Sequence, residues 1–312
     1  MVDWALKILE SPQEMEAIEN LQRLVWSGNE TEVVPAHILL AMVHNGGIAI
    51  GAYSRSSSDG AQDGDLENQP QQIPSLLGFV FGFPGLYSTP DGPRPKHCSH
   101  MLGVHPDYRG YGIGFGLKRA QWQMVRYQEI DRITWTYDPL LSRNAFLNIT
   151  RLGAVCNTYR RNEYGELRDD LNVGLPSDRF QVDWWVNSKR VERRLSKKAR
   201  LPLDLAHFLA AGAEIINPTK TDDSGLPQPG AHNLADFIEP QEEQTRIVLL
   251  EIPADFLALK NQDKELAIAW RTHTRELFEA LFSSGYLVTD FIYLPGKSPR
   301  SYYVLSHGES TL

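Results

Sequence analysis

The stretch MLGVHPDYRGYGIGFGLKRA, residues 101–120, decides how the fold of this sequence is interpreted. An apolar run ends at Pro106, and the segment RGYGIG, residues 109–114, then precedes an amphipathic segment. Glycines let successive backbone amides turn toward one point without obstruction by Cβ atoms. Such amides at a helix N-terminus attract an anion, and a pyrophosphate has a fitting size and charge. The stretch therefore predicts a strand, an anion-binding loop and a helix, with Arg109 as a further phosphate contact.

Two other phosphate-binding glycine loops do not fit this stretch. The Walker loop ends in Gly-Lys-Ser/Thr, and that ending is absent here. The dinucleotide pattern GxGxxG needs a third glycine after Gly112 and Gly114, and Leu117 stands at that position.

The residues before this stretch predict alternating strands and helices. A short apolar segment is followed by Ser11, Pro12 and Glu14, which together indicate a helix start. The run ILLAMVHNGGIAIGAY, residues 38–53, predicts a β-hairpin around His-Asn-Gly-Gly, and polar residues 54–75 predict a long mobile loop. After the glycine loop, a helical pattern leads into RITWTYDP, which is typical of a strand. Strand, helix and strand in this order predict a parallel crossover unit.

The C-terminal part predicts further α/β structure. A strand at TRIVLLEIP, a long amphipathic helix and two final strands follow a turn-rich insertion at about 217–233. The helix-glycine-strand segment ending at Gly285 is a weak echo of the one around Gly153. Residues 189–200 carry seven basic residues and one acid, which favours a solvated helical connector over a nucleic-acid arm.

Composition narrows the class of protein. The 312 residues carry 31 Lys+Arg against 39 Asp+Glu, a net charge of −8, which speaks against general nucleic-acid or anionic-membrane binding. The two cysteines, Cys98 and Cys156, form no disulfide framework, and charged residues interrupt the first ten residues where a signal peptide needs an apolar run. We therefore expect a globular, cytoplasmic protein. No metal is expected, because His97-x-x-His100 has no further donors nearby.

The spacing Arg109-x-x-Gly112-x-Gly114, placed after a strand and before a helix, resembles the signature of the GNAT superfamily of acyl-CoA-dependent N-acyltransferases. The order of elements agrees with that family over about residues 5–187. The resemblance implies an α/β (α+β) fold with a mixed, splayed central sheet flanked by helices. It implies a GNAT-like domain at 1–187. The charge run indicates a basic connector at 188–200, and the strand-helix-strand-strand order of the C-terminal α/β region at 201–312 leads to the hypothesis that this region resembles half of such a domain.

The resemblance further implies that acyl-CoA, by default acetyl-CoA, binds in the cleft between the strands at 99–104 and 132–138. The acceptor would be a small-molecule amine or an amino acid, and a homodimer is an open alternative. The residues expected to bind CoA are Leu102, Val104, Arg109, Gly110, Tyr111, Gly112, Ile113, Gly114 and Asn144.

The chain departs from the family at the position of its usual acid. Many members carry a tyrosine in the helix after the second central strand, where this chain has Ile149. Tyr159, Tyr137 or a water is then the candidate acid for the leaving thiolate. His100 and Asp138 are the two candidate bases for the amine. The expected catalytic set is therefore His100, Asp138 and Tyr159, and a non-catalytic CoA-binding module is the alternative reading.

Overall fold

A computed structural model of the chain divides into two compact units, which meet in sequence between Asp131 and Arg132. The second unit therefore contains the border that the sequence predicts near residue 187. Each unit combines antiparallel strands with helices, so the predicted mixed α/β class is confirmed. The structure describes residues 2–26, 30–55, 75–167, 173–196, 202–232, 234–238 and 246–307.

In the described residues, the first unit contains four antiparallel strands and three α-helices. Its elements in chain order are β1 (Trp4–Ile8), α1 (Pro12–Val25), α2 (Ala36–His44), β2 (Ile48–Ser54), β3 (Leu76–Thr89), β4 (Gly92–Val104) and α3 (Ile113–Tyr127). The strands pair in the order β1-β2-β3-β4. A core of buried apolar side chains lies where α1 and α2 pack on the sheet, and it includes Met15, Ile18, Phe79 and Phe81.

The helix start that the sequence predicts at Ser11 is confirmed. The Ser11 hydroxyl accepts a hydrogen bond from the backbone N–H of Glu14, whose carboxylate accepts one from the backbone N–H of Ser11. This reciprocal capping satisfies amides that lack partners within the helix.

The hairpin predicted at residues 38–53 is wrong. Its first half is helix α2, because Ile, Leu, Ala and Met are compatible with a helix once tertiary packing holds it, and Leu39 is fully buried. The glycine turn is present, but it ends a helix: Gly46 has a φ of 89°, and the Gly47 N–H donates to the carbonyl of Met42. The loop predicted at 54–75 lies almost entirely outside the described residues.

The second unit has seven strands in one sheet. Its strands are β5 (Arg132–Tyr137), β6 (Val155–Arg160), β7 (Arg179–Trp185), β8 (Glu214–Ile215), β11 (Arg246–Ile252), β12 (Leu287–Leu294) and β13 (Arg300–His307), with a separate pair β9 (Lys220–Thr221) and β10 (Pro227–Gln228). The sheet order is β5-β7-β6-β12-β13-β11-β8. All neighbours are antiparallel except β11 and β8.

The helices of the second unit pack on this sheet. They are α4 (Ser142–Ala145), continued by a π-helical turn (Phe146–Arg151), then α5 (Lys189–Leu195), α6 (Leu205–Ala210), α7 (Ala235–Ile238), α8 (Phe256–Gln262) and α9 (Lys264–Ser283). The strands and the long helix predicted after residue 245 are confirmed. Helix α5 occupies part of the predicted basic connector. Within the described residues, no helix is long and apolar enough to span a bilayer.

Candidate active site

The loop after β4 has the conformation that an anion cradle needs. A single helical turn at Pro106–Tyr108 follows the strand, and the Arg109 Nε donates to the carbonyl of Val104 at 3.3 Å. Gly110 and Gly112 have φ values of 93° and 80°, which side chains with a Cβ rarely adopt. Gly112 is the N-cap of α3, so the first amides of a fifteen-residue helix point out of its N-terminus toward the loop.

The two loop glycines are required by backbone conformation and not by crowding within the protein. A Cβ atom built on Gly110 or Gly112 meets nothing within 4 Å. Gly114 lies on the strand side of the helix, where its Cβ position is 3.8 Å from the side chains of Leu102 and Val104. The loop is thus open in front and packed behind, which suits a ligand that approaches the amides directly.

A bulge in β4 places the candidate base. The register with β3 shifts so that Met101 faces Phe81 while Cys98 faces Phe83, which leaves Ser99 and His100 together opposite Gly82. His100 is exposed as a residue, and its ring lies 5.8 Å from that of Phe83, which covers part of the imidazole. Loss of hydration there lowers the pKa of His100 below its usual value, so the neutral form that accepts a proton predominates at pH 7.

A buried polar cluster lies under the bulge. The Lys118 Nζ donates to the Ser99 hydroxyl at 2.7 Å, and that hydroxyl donates to the Gln121 Oε1 at 2.9 Å. The Gln121 Nε2 lies 3.1 Å from the His97 Nε2. All four side chains are buried, and burial lowers the pKa of His97 to about 3. The sequence interpretation missed this cluster, although Gln121 on the predicted apolar face of α3 was a signal of it.

Asp138, the other candidate base, is held in an ion pair. Its carboxylate accepts two hydrogen bonds from Arg271 on α9, at 2.8 and 2.5 Å, and one from the backbone N–H of Leu140 at 2.9 Å. Arg179 lies 3.9 Å away. Asp138 and Arg271 are 7% and 2% exposed, so this carboxylate is shielded from water and both of its oxygens are bonded. The sequence offered no sign of Arg271 as its partner.

The candidate tyrosine acids also have internal partners. The Tyr159 hydroxyl donates to Asp178 at 2.8 Å, and Arg275 of α9 donates to the same carboxylate oxygen. Burial is the largest cause of the raised pKa of Tyr159, so the phenol keeps its proton. Tyr137 is buried, and its hydroxyl lies 3.2 Å from that of Tyr303.

Three further residues lie on the segment after β5. Asn144 is half-buried on α4. Ile149 is fully buried in the π-helical turn. Tyr164 is half-exposed, and its hydroxyl lies 2.6 Å from that of Thr136 on β5. In the part of the chain that the structure describes, no group of three or more His, Cys, Asp or Glu is arranged to hold a metal ion.

Comparisons with known proteins give weak likenesses. No protein-family model and no curated protein matches the chain. A solved structure of Arabidopsis thaliana NAA60 in complex with a bisubstrate analogue is 15% identical, with a TM-score of 0.41 over 59% of this chain and 100% of that one. A structure of aminoglycoside 6'-acetyltransferase type Ii is 16% identical, with a TM-score of 0.40 over 59% of this chain and 99% of that one. A structure of the ribosomal-protein-S18-alanine N-acetyltransferase from Escherichia coli is 12% identical, with a TM-score of 0.40 over 64% of this chain and 100% of that one. Such low values decide neither the family nor the activity.

Proposed function

We propose that this protein is an acyl-CoA-dependent N-acyltransferase, with acetyl-CoA as the default donor and a small amine or amino acid as the acceptor. The observation that carries the proposal is the loop at 109–114. Two glycines there have positive φ values, and the loop leads into the N-terminus of α3. Its amides, with Arg109, fit the pyrophosphate of CoA in charge and size. The backbone of Leu102 and Val104 on β4, and Asn144, complete the proposed CoA contacts.

The proposed reaction is direct transfer in a ternary complex. The acceptor ammonium first loses a proton, and the free amine then forms a bond to the thioester carbonyl carbon. The carbonyl oxygen gains the electron pair, which returns as the carbon–sulfur bond breaks. The nitrogen, which carries a positive charge after the attack, loses one further proton to the base or to water, and the CoA thiolate takes up a proton. The products are a neutral amide and the free thiol of CoA. No covalent enzyme intermediate is required, and the two cysteines have no role in this scheme.

His100 is the preferred base for that first proton transfer. Its ring is accessible, and its lowered pKa favours the neutral form. Asp138 is the second choice, because its carboxylate must first leave Arg271. Tyr159 retains a proton that it can donate, which suits the acid role, although its hydroxyl is bonded to Asp178. A water is the alternative proton donor.

A second candidate function is non-catalytic CoA binding. The buried Ile149, where many family members carry the acidic tyrosine, favours it. Incubation with acetyl-CoA or succinyl-CoA and a panel of amines distinguishes the two functions through release of free thiol. Amine-dependent release supports transfer, whereas CoA binding without amine-dependent release supports the module.

The role of His100 is tested by His100→Gln. We expect kcat to fall by about 100-fold or more, with little change in the Kd for CoA, because only proton transfer is lost. The exposed His207 on α6, changed to Gln, is the control for a histidine substitution as such. Full activity of His100→Gln would move the base role to Asp138 or water.

A further inference from the structure

The second unit contains two copies of one structural pattern. The first copy is β5, α4 with its π-helical turn, β6 and β7; the second is β11, α9, β12 and β13. In both copies the last strand lies between the other two, giving β5-β7-β6 and β11-β13-β12. All of these neighbours are antiparallel. Among the described residues, the second copy has the additional helix α8 before its main helix.

The two copies also share residues at equivalent positions. Gly153 and Gly285 follow the helices of the two copies with φ values of 78° and 85°, and each stands two residues before its strand. Strands β5 and β11 both begin with Arg-Ile, and a proline (Pro139 or Pro253) stands seven residues after each arginine. The weak echo at Gly285 that the sequence suggests is therefore part of a larger repeat.

The two copies pair with each other through equivalent residues. Cys156 of β6 pairs antiparallel with Val288 of β12, and each residue lies three positions after its copy's glycine. Pairing of equivalent residues is the property of a two-fold interface between identical subunits. The junction is also bonded through side chains: the Thr150 hydroxyl donates to Phe291 O at 2.6 Å, and the Ser142 and Ser301 hydroxyls lie 2.8 Å apart.

We infer that the second copy acts as a built-in partner subunit, whose helix α9 positions the C-terminal end of β5 through Arg271. The chemistry served by this positioning rests on the proposed function; the positioning itself rests on contacts alone. Arg271 and Arg275 stand one helical turn apart and bind Asp138 and Asp178, which flank the ends of β5 and β7. The stacked rings of Tyr159 and Phe278 add an apolar contact between the copies.

The physical basis is the geometry of the guanidinium group. Two parallel N–H bonds from Arg271 fix both the place and the plane of the Asp138 carboxylate, whereas one ammonium bond leaves the carboxylate free to rotate. The same oxygen that meets the Arg271 Nη1 accepts the Leu140 N–H, so the backbone beyond β5 is fixed as well. Arg271 is therefore a positioning residue and not a catalytic one.

The repeat supplies a matched control. At the end of β11 in the second copy, the Glu251 carboxylate accepts two hydrogen bonds from Arg300 of β13, both at 2.6 Å. The bidentate bonding is the same as in the Asp138 pair, but this pair lies at the end of β11, and the Arg300 side chain is 42% exposed against 2% for Arg271. Comparing Arg271→Lys with Arg300→Lys therefore tests whether loss of any bidentate pair lowers kcat, and the position of the changed amide exchange shows whether the effect lies at the end of β5.

The test combines amide hydrogen exchange of the full chain with steady-state kinetics. For Arg271→Lys we expect faster exchange at residues 136–141 and at least a ten-fold lower kcat, with an unchanged KM for acyl-CoA. For Arg300→Lys we expect kcat within two-fold of the wild type. Asp138→Asn with Arg271→Gln removes both charges together and should repeat the faster exchange at 136–141 if the single variant folds poorly. Its kcat is left out of the comparison, because Asp138 is itself a candidate base.

Two results would overturn the inference. One is unchanged exchange at 136–141 in both Arg271 variants, and the other is an equal loss of kcat in Arg271→Lys and Arg300→Lys. If the wild type releases no thiol with any amine, the proposed function fails, but hydrogen exchange at the β5 end still decides the positioning.

Discussion

The loop at 109–114 in the first unit and the end of β5 in the second unit illustrate two ways of building a site. The loop is made of backbone: its key atoms are amide N–H groups, and Gly110 and Gly112 have open space around them. The β5 end is made of side chains, and its carboxylates are bonded to arginines more than 90 residues away. The comparison teaches that local sequence encodes the first arrangement and only the complete fold creates the second.

The largest effect is expected where the second arrangement is broken. Arg271→Ala leaves the Asp138 carboxylate buried without its cation, and this should lower the free energy of unfolding by about 3–5 kcal/mol. Chemical denaturation measures the change. The exposed Arg193 of α5, changed to Ala, is the control and should cost less than about 0.5 kcal/mol. Equal stability of the two variants would contradict a structural role for the Asp138 pair.

The next effect concerns the loop. Gly112→Glu places a side chain and a negative charge in front of amides that we propose bind phosphate, so the Kd for CoA should rise by about 100-fold or more, equivalent to ~2.7 kcal/mol. Titration calorimetry measures it. Gly225→Glu, at a turn glycine of similar φ and equally open surroundings, reproduces the backbone strain alone. CoA binding that survives Gly112→Glu would remove the basis of the proposed function.

The sequence could predict the arrangements that neighbouring residues build, and it could not predict those that residues distant in the chain build. The capping residues at Ser11, the loop at 109–114 and the long helix α9 depend on neighbours a few positions away, and sequence patterns predicted them. Helix α2 was mistaken for a strand because a short apolar run fits both, and its packing on the sheet decides. The ion pair of Asp138 could not be foreseen, since no local pattern indicates a partner 133 positions away.

A third prediction uses pH to compare buried histidines of the two units. Burial lowers the pKa of His97 to about 3, so between pH 6.5 and 3 the unfolded chain binds a proton that the folded chain refuses. Stability is therefore lost as the pH falls, by about 2 kcal/mol at pH 5 relative to pH 7 through this one group. Denaturation of His97→Gln at both pH values should show that much less pH dependence.

His273 in the second unit gives the counterpart to that measurement. Burial and the nearby His232 lower its pKa to about 4, so its contribution has the same sign. Because both pKa values lie below 5, His273→Gln and His97→Gln should each remove a similar part of the pH dependence between pH 7 and 5. Only below about pH 4 should the loss of stability through His273 level off before the loss through His97. The reverse order would mean that the polar cluster under the β4 bulge opens to water.

The smallest expected effect tests whether the first unit depends on local signals. Ser11→Ala removes the hydroxyl that accepts the Glu14 N–H and should lower the free energy of unfolding by about 1 kcal/mol. Asp263→Ala removes the side chain that accepts the Leu266 N–H at the start of α9, and a similar loss is expected there. Because α9 is also held by Arg271 and Arg275, Asp263→Ala should leave amide exchange along α9 unchanged. Ser11→Ala, in contrast, should make amide exchange in α1 faster. Equal rises in both helices would mean that α9 depends on its cap as α1 does, and that its long-range ion pairs add little.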